Sequence, residues 1–332
     1  MPPSEEIILY HYTFSPYAKR VVWYLSLRQI PYTQCLQPPI LPRPSLIALG
    51  TSYRRIPILS IGKDIYNDTR LILSKLTELY PASAQHPALS TGAFGQGMEK
   101  LLEFWTVNGL FSRAAALIPK EMPLLRDERF RRDREDFTGR SWEPEAVERG
   151  RAEALVEIRS AFELLETTFL ADGREWIAGG EKPGMADIEA VWPFHWLNGL
   201  EGALPPTLIS ATQYPKVFAW ISRFDASTRA AAKQLGKPKT IKGEEAISIT
   251  QIGGFAEEVL SVDELDPSGL KRGEWVEVWP TDSGSRHRDQ GHLVGLSGKE
   301  IVVTTEGGKV EGVRIHAPRQ GFRVRRLEGG KL

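Results

Sequence analysis

Two hydroxyl groups near the start of the chain could take part in chemistry. Ser15 lies directly before Pro16 in the stretch YTFSPYAKRVVWYL (12–25), which follows the apolar run at 7–10. A serine before a proline caps a helix, and the same helix N-terminus attracts an anion. Both roles direct the hydroxyl to one place, so the residues alone leave both open. Tyr12 is the other candidate, with surface packing as its alternative role.

The first 83 residues alternate between strand and helix patterns. Ser15 and Asp68 each precede an apolar stripe at helical spacing, which predicts helices that begin at 16 and 68. The predicted strands lie at 7–10, 32–36 and 56–61, with a short fourth strand from 65. The prolines at 38, 39, 42 and 44 predict a loop after the second strand. This order indicates an α/β domain, which we place at residues 1–83.

The middle of the chain is predicted to be helical and its last part to consist of strands. Apolar residues at steps of three and four predict packed helices between 92 and 236. The mixed-charge run at 126–140 predicts a solvated helix face or a long insert. Five alternating runs predict an all-β domain at 240–332, and they lie at 273–280, 291–296, 300–305, 312–318 and 322–327. The predicted fold therefore combines α/β, all-α and all-β domains.

Composition restricts the functional class. The 332 residues include 42 Lys+Arg and 42 Asp+Glu, so no overall charge favours nucleic acid or an anionic membrane. Cys35 is the single cysteine and the six histidines lack ligand spacing, so we predict no metal site. No apolar run is long enough to span a membrane, and the start lacks a secretory signal. We expect a cytoplasmic protein, although Gly330-Lys331-Leu332 is one substitution from a peroxisomal signal.

Five stretches resemble motifs of the glutathione transferase family. SPYAKRV (15–21) is similar to the Ser-Pro-Phe-x-x-Arg-Val of the tau class and, with Ser in place of Cys, to the omega class. The other four follow in the family's order: RRIP (54–57), DTRLI (68–72), GMADIEAVWPF (184–194) and YPKVFAWISRF (214–224). The resemblance implies a thioredoxin-like, glutathione-binding domain at 1–83 and an all-helical domain at 92–236. It also implies a homodimer.

The resemblance implies a chemical role for Ser15. A free thiol has a pKa near ~8.5, so an enzyme that uses glutathione as a nucleophile must favour its thiolate. A hydroxyl donor at the positive end of a helix does so. Ser15 is therefore the expected catalytic residue, and Tyr12 is the alternative because other classes use a tyrosine near the end of the first strand.

The resemblance also implies which residues bind glutathione. The Ile56–Pro57 bond is expected to be cis, which would present the Ile56 backbone to an extended peptide. Asp68 and Thr69 would bind the γ-glutamyl end, through a carboxylate for the ammonium and a helix start for the carboxylate. Arg54 or Arg55 would bind the glycyl carboxylate. Plain helix capping by Asp68 and surface positions for the arginines are the alternatives.

The electrophile site is expected between the two halves. Trp105, Phe111 and Arg113, on the first long helix of the helical domain, are the candidates for its wall, and an apolar small molecule is the expected substrate. Asp187 is expected to stabilise a core helix by binding backbone N–H groups, because Gly184 replaces the Ser/Thr of the family's capping box.

The residues after 240 extend beyond the usual end of the family. Their pattern resembles a small Src-homology-like (SH3-like) barrel of unknown role. The run at 314–326 holds five arginines, which we expect to meet the acidic strand at 273–279, with a phosphate or partner strip as the alternative. The extension and the insert most resemble transferase-like proteins of filamentous fungi, some of which act in secondary metabolism.

Three functions remain open at this point. The first is a glutathione transferase-like enzyme whose thiolate attacks an apolar electrophile. The second is an isomerase, dehydratase or cyclase of the same fold that recycles glutathione or does not use it. The third is a non-catalytic interaction module. The joint presence of Ser15, Ile56-Pro57 and Asp68-Thr69 favours an enzyme.

Overall fold

The N-terminal part of the chain forms four strands and three helices. The structure is a computed structural model that describes residues 5–90, 92–257 and 260–327, so the Gly330-Lys331-Leu332 tail lies outside the described residues. The elements are β1 (Ile7–His11), α1 (Pro16–Leu27), β2 (Thr33–Leu36), α2 (Pro44–Ala48), β3 (Ile58–Ile61), β4 (Asp64–Asn67) and α3 (Thr69–Leu79). Helices α1 and α3 begin after the capping side chains of Ser15 and Asp68, as predicted.

The helical part follows directly. It contains α4 (Gly92–Trp105), α5 (Phe111–Ala115), α6 (Glu128–Thr138), α7 (Pro144–Arg149), α8 (Arg151–Leu164), α9 (Met185–Asn198) and α10 (Pro215–Leu235). A π-helical turn at Thr106–Leu110 joins α4 to α5, and another at Leu165–Phe169 ends α8. Helix α9 is buried around most of its circumference, and it packs on both α1 and α4. It therefore joins the two parts.

Residues 239–327, called the C-terminal segment below, begin with two elements that the sequence did not predict. These are β5 (Lys239–Ile241) and α11 (Gly243–Ile252). The five predicted strands are confirmed as β6 (Trp275–Pro280), β7 (Asp289–Leu296), β8 (Glu300–Thr304), β9 (Arg314–Pro318) and β10 (Phe322–Arg326).

The strands of the C-terminal segment continue the N-terminal sheet instead of closing a separate barrel. The ten strands form one open sheet in the order β10-β6-β7-β8-β9-β4-β3-β1-β2-β5. Strand β9 pairs in parallel with β4, with Ile65 opposite Ile315, and β5 pairs in parallel with β2. Without β9, β4 would be an edge strand with unpaired backbone N–H and C=O groups. Pairing with β9 gives those groups hydrogen-bond partners. The prediction of an SH3-like barrel is corrected accordingly, whereas the three domain boundaries stay a prediction.

Two apolar cores lie on the two faces of the sheet. Alternation along β1 sends Ile7 and Leu9 to the core shared with the helical part. It sends Ile8 and Tyr10 to the other core, which the C-terminal segment completes with residues such as Ile315. The segment therefore buries a sheet face that the first 83 residues alone would expose.

The arginine-rich run behaves as the polar face of a strand. Arg325 pairs with Glu277 (Nη2–Oε1 2.6 Å) and Arg326 with Glu274, where β10 lies beside β6. The expected contact with the acidic strand is thus confirmed for these two arginines, whereas Arg314 and Arg319 pair with Asp64 and Asp266. Within the described ranges, no helix has the length and apolarity needed to cross a bilayer.

Candidate active site

Ser15 caps α1 and leaves its hydroxyl proton available. Its Oγ accepts a hydrogen bond from the Ala18 N–H (3.2 Å), while its own N–H donates to the Tyr12 carbonyl (3.1 Å). The Ser15 hydroxyl donates to no group among the described residues. Ser15 is only 1% exposed, which fits the capping role. Its catalytic role stays a prediction.

Tyr12 is half-buried beside the same turn. Its ring packs against Phe14, with the ring centroids 4.7 Å apart, and it contacts the second core. Its hydroxyl makes no hydrogen bond within the described part of the chain, so its role as the alternative catalytic residue also stays a prediction.

Thr69 is held by an arginine that the sequence analysis left without a role. The Thr69 Oγ1 accepts a hydrogen bond from Arg20 Nη1 (2.6 Å), and Arg20 is fully buried on α1. The guanidinium also pairs with Glu189 of α9. Burial raises the pKa of Glu189 above its usual value, although Arg20 acts in the opposite direction. An arginine on the inner side of an otherwise apolar helix was the available signal, since such a charge needs a buried partner.

Asp68 caps α3, and its carboxylate is already paired. Arg70 donates Nε to Oδ1 (2.9 Å) and Nη2 to Oδ2 (3.0 Å), and the Nη1 of Arg55 lies 3.8 Å from Oδ2. Burial would raise the pKa of Asp68, but Arg70 and Arg55 outweigh it and hold that pKa at about 2. A ligand ammonium at Asp68 would therefore have to share a carboxylate that Arg70 binds in a bidentate way.

The two arginines before the cis proline have different partners. Arg54 is buried and pairs with Asp133 (2.9 Å) and Asp136, both on α6. Arg55 pairs with Asp282 and donates Nε to the Ser283 carbonyl (3.1 Å) in the C-terminal segment. The mixed-charge run is therefore not simply a solvated helix face, because its acidic residues dock α6 onto Arg54.

The Ile56–Pro57 bond is cis, as predicted. Ile56 is buried, and neither its backbone N–H nor its C=O forms a hydrogen bond with any residue that the structure describes. Buried backbone groups normally have a partner. The pair is therefore suited to bind an extended peptide from outside the chain.

The proposed wall residues lie in different surroundings. Phe111 is in the junction between the two halves, where its ring packs against Tyr17 (4.8 Å) and Trp192 (4.7 Å). Trp105 packs against Phe194 of the helical core. Arg113 is 48% exposed and pairs with Glu157 of α8. Phe111 is thus the candidate whose ring packs against the first turn of α1, which Ser15 caps.

Asp187 has the structural role expected of it. Its carboxylate accepts the N–H groups of Gly184 and Ile177, both at 2.9 Å. It also accepts the indole N–H of Trp220 (2.8 Å), a partner that the sequence did not predict.

A cluster of charged groups lies away from Ser15, where β9 meets β4. Donor atoms of Glu257, Glu300 and His316 fall within 4.8 Å of one another. The ammonium of Lys75 pairs with both glutamates: its Nζ lies 2.7 Å from Glu257 Oε2 and 2.6 Å from Glu300 Oε1. The imidazole bonds Glu300 through Nδ1 and Asp64 through Nε2. The fold, not sequence spacing, assembled this group, and the absence of a metal site stays a prediction.

Comparison with known families matches two parts of the chain. Residues 9–84 match the family described as the glutathione S-transferase N-terminal domain. Residues 113–233 match a family described as a domain of unknown function. A plant relative, glutathione S-transferase U8 of Arabidopsis thaliana, is 23% identical over 225 residues, which are 68% of this chain and 87% of that protein.

Solved structures extend the likeness to the C-terminal segment. A GST-like protein from Pseudomonas syringae superposes with a TM-score of 0.69 at 23% identity, over 97% of this chain and 100% of its own. A glutathione S-transferase from Sinorhizobium meliloti, with a TM-score of 0.50 at 18% identity, covers 68% of this chain and 91% of its own. The chain therefore has a glutathione-transferase-like fold, and the bacterial GST-like protein shares its fold over nearly the whole length.

Proposed function

We propose that this protein is a glutathione transferase-like enzyme. The observation that carries the proposal is the backbone of Ile56 beside the cis proline, whose N–H and C=O have no hydrogen-bond partner among the described residues. An extended peptide such as glutathione can pair with this residue as an added strand. The match of residues 9–84 to the glutathione S-transferase N-terminal domain supports the same ligand.

Two further positions would bind the ends of glutathione. The hydroxyl and N–H of Thr69, at the N-terminus of α3, would bind the γ-glutamyl carboxylate. Arg55 would bind the glycyl carboxylate. It is better placed than Arg54, because its side chain is 17% exposed against 2% for Arg54 and its nearer carboxylate partner, Asp282, is itself exposed.

Ser15 would act on the thiol. Glutathione supplies a sulfur nucleophile once its thiolate is favoured. The Ser15 hydroxyl would donate a hydrogen bond to that sulfur, and the N-terminus of α1 would favour the negative charge. Tyr12 is the alternative donor.

The electrophile would bind where the aromatic rings of the two halves meet. Phe111 packs there against Tyr17 and Trp192, and an apolar small molecule suits such a wall. Trp105 and Arg113 are weaker candidates for the same wall. A cytoplasmic location, a homodimer, membership of a tau, omega or fungal type and a place in secondary metabolism stay parts of the proposal without further support.

One observation favours a second candidate function. Asp68, Arg54 and Arg55 already have charged partners within the chain. A site whose charged groups are satisfied internally suits a non-catalytic interaction module. It also suits an isomerase, dehydratase or cyclase that does not use glutathione.

Titration calorimetry with glutathione tests the proposal. The wild type should bind glutathione with a Kd between micromolar and millimolar. Thr69→Ala should weaken binding about tenfold or more, since one charge-assisted hydrogen bond contributes about 1.5–3 kcal/mol. Ser15→Ala should keep binding but lower turnover of electrophiles by about a hundredfold, the scale of one lost donor to a developing anion.

Thr228→Ala is the matched control. Thr228 is buried on α10, and its hydroxyl bonds only its own helix, at the Phe224 and Asp225 carbonyls. Its removal should leave glutathione binding unchanged. Absence of binding to the wild type at millimolar glutathione would refute the proposal and favour the second candidate.

A further inference from the structure

A carboxylate of the C-terminal segment holds the loop that leads into the cis proline. Asp289 is the first residue of β7 and is 4% exposed. Its Oδ1 accepts hydrogen bonds from the Thr51 hydroxyl (3.1 Å) and from the N–H groups of Ser52 (2.5 Å) and Tyr53 (3.3 Å). Its Oδ2 accepts one from Asn67 Nδ2 (3.0 Å). One side chain thus binds four donors.

These donors belong to the two segments that form the proposed glutathione site. Residues 51–53 lead directly into Arg55 and Ile56. Asn67 ends β4 and immediately precedes Asp68 and Thr69. Asp289 therefore links the two segments, in addition to the β3–β4 pairing that sets Ile58 opposite Asn67.

The contact needs an acceptor at both oxygen positions of residue 289, which a carboxylate supplies without any rearrangement of its neighbours. A carboxylate accepts at both oxygens and has no proton to place, whereas any neutral side chain brings a donor or fewer acceptor positions. All four donors are neutral, and none supplies a positive charge that would compensate for burying Asp289. A carboxylate buried without a cation costs stability, so its contribution must be geometric.

We propose that Asp289 is a positioning residue of the glutathione site, by which the C-terminal segment holds the 51–56 loop at its distance from Thr69 beyond the end of the β3–β4 pairing. This inference rests on the proposed function. The segment is then a part of the site instead of an appended domain.

Three variants test this role. Asp289→Leu keeps the branched shape of the side chain and removes every acceptor. Asp289→Asn can restore the contact, because Asn67 Oδ1 has no hydrogen-bond partner in the described structure and can accept from the new amide if Asn67 turns over. Asp266→Leu is the matched control. Asp266 is also a buried carboxylate of the segment, but it binds Arg319 and Ser268 and none of residues 51–69.

Two measurements are made on each full-length variant: amide hydrogen exchange of residues 51–57 and calorimetric titration with glutathione. Asp289→Leu should speed exchange at Ser52 and Tyr53 and raise the glutathione Kd, each at least about tenfold. Asp289→Asn should restore both to within about threefold of the wild type. Asp266→Leu should lower Tm while changing neither. If Asp289→Leu does not fold, Thr51→Val removes one donor and should raise the Kd about fivefold.

The outcomes separate this inference from the proposed function. If the wild type binds glutathione but Asp289→Leu changes neither quantity, the positioning role is refuted and the proposed function remains. The same holds if Asp266→Leu has effects equal to those of Asp289→Leu. If the wild type binds no glutathione, the proposed function fails. Exchange at Ser52 and Tyr53 then decides alone whether Asp289 positions the loop.

Discussion

A carboxylate is buried at two places where the C-terminal segment meets the N-terminal part. The two carboxylates differ in the charge of the groups that bind them. Where β9 meets β4, the fully buried Asp64 faces the imidazole of His316 (3.0 Å) and the guanidinium of Arg314 (3.8 Å). The same cluster contains Lys75 between Glu257 and Glu300. Where β7 meets the 51–53 loop, Asp289 binds only neutral donors.

The difference appears in the pKa directions. Burial disfavours the charged imidazole, yet Asp64 and Glu300 together raise the pKa of His316. Burial raises the pKa of Asp289 to about 6, against the hydrogen bonds that favour its ionised form. The first contact is therefore held by compensating charges. The second places backbone groups precisely and carries an uncompensated charge.

The largest effect is expected from breaking the charged cluster. Asp64→Ala removes the buried carboxylate that His316 and Arg314 share. The free energy of unfolding, measured by urea denaturation, should fall by about 3–5 kcal/mol. Asp172→Ala, which removes an exposed pair with Arg174, is the control and should leave the free energy of unfolding almost unchanged. Equal costs for the two variants would show that the cluster contributes nothing beyond a surface pair.

The pH dependence of stability should separate the two places. The pKa of His316 in the folded protein lies above its ordinary 6.5. Its contribution to the free energy of unfolding is therefore complete below pH 6.5 and is lost as pH rises through the folded pKa. Since the folded pKa of Asp289 is raised from 3.8 to about 6, the native state holds that proton more tightly, and stability falls as pH rises across this window. The expected change there is about 3 kcal/mol, from about 1.4 kcal/mol per pKa unit.

Difference curves isolate each contribution. Urea unfolding from pH 4 to 9 is compared between the wild type, His316→Gln and Asp289→Asn. His316→Gln should remove the loss above pH 6.5, and Asp289→Asn the loss between pH 3.8 and about 6. A wild-type curve parallel to the variant curve within either window would contradict the assignment for that window.

The smallest effect is expected at the exposed edge of the second contact. Asp282 is 69% exposed, so Asp282→Asn should change the free energy of unfolding by less than about 1 kcal/mol. It frees Arg55, however, and should tighten glutathione binding about two- to fivefold by calorimetry. Glu274→Gln, which breaks the pair with Arg326 elsewhere in the segment, should leave binding unchanged. Weaker binding in Asp282→Asn would mean that Asp282 assists the ligand instead of competing with it.

Local signals predicted the strands and helix starts of the N-terminal part and the strands β6 to β10. Ser15 before Pro16 and Asp68 before an apolar stripe placed two helix starts, because capping acts within one turn. Alternating residues placed all five strands from β6 to β10, because side chains in a strand alternate between faces. The pairing of β9 with β4 could not be predicted, because the partners lie about 250 residues apart and alternation does not name a partner strand.

The sequence by itself determined which residue types stand at the turn and helix starts of the N-terminal domain, since those choices depend on neighbours within a few positions. Only the tertiary structure decided what binds them. Arg54 and Arg55, taken from sequence as ligand residues, pair with acids from α6 and the C-terminal segment. Asp289 gathers donors from residues 222 to 238 positions away. A hydrogen bond depends on distance in space, and only packing of the whole sheet sets that distance.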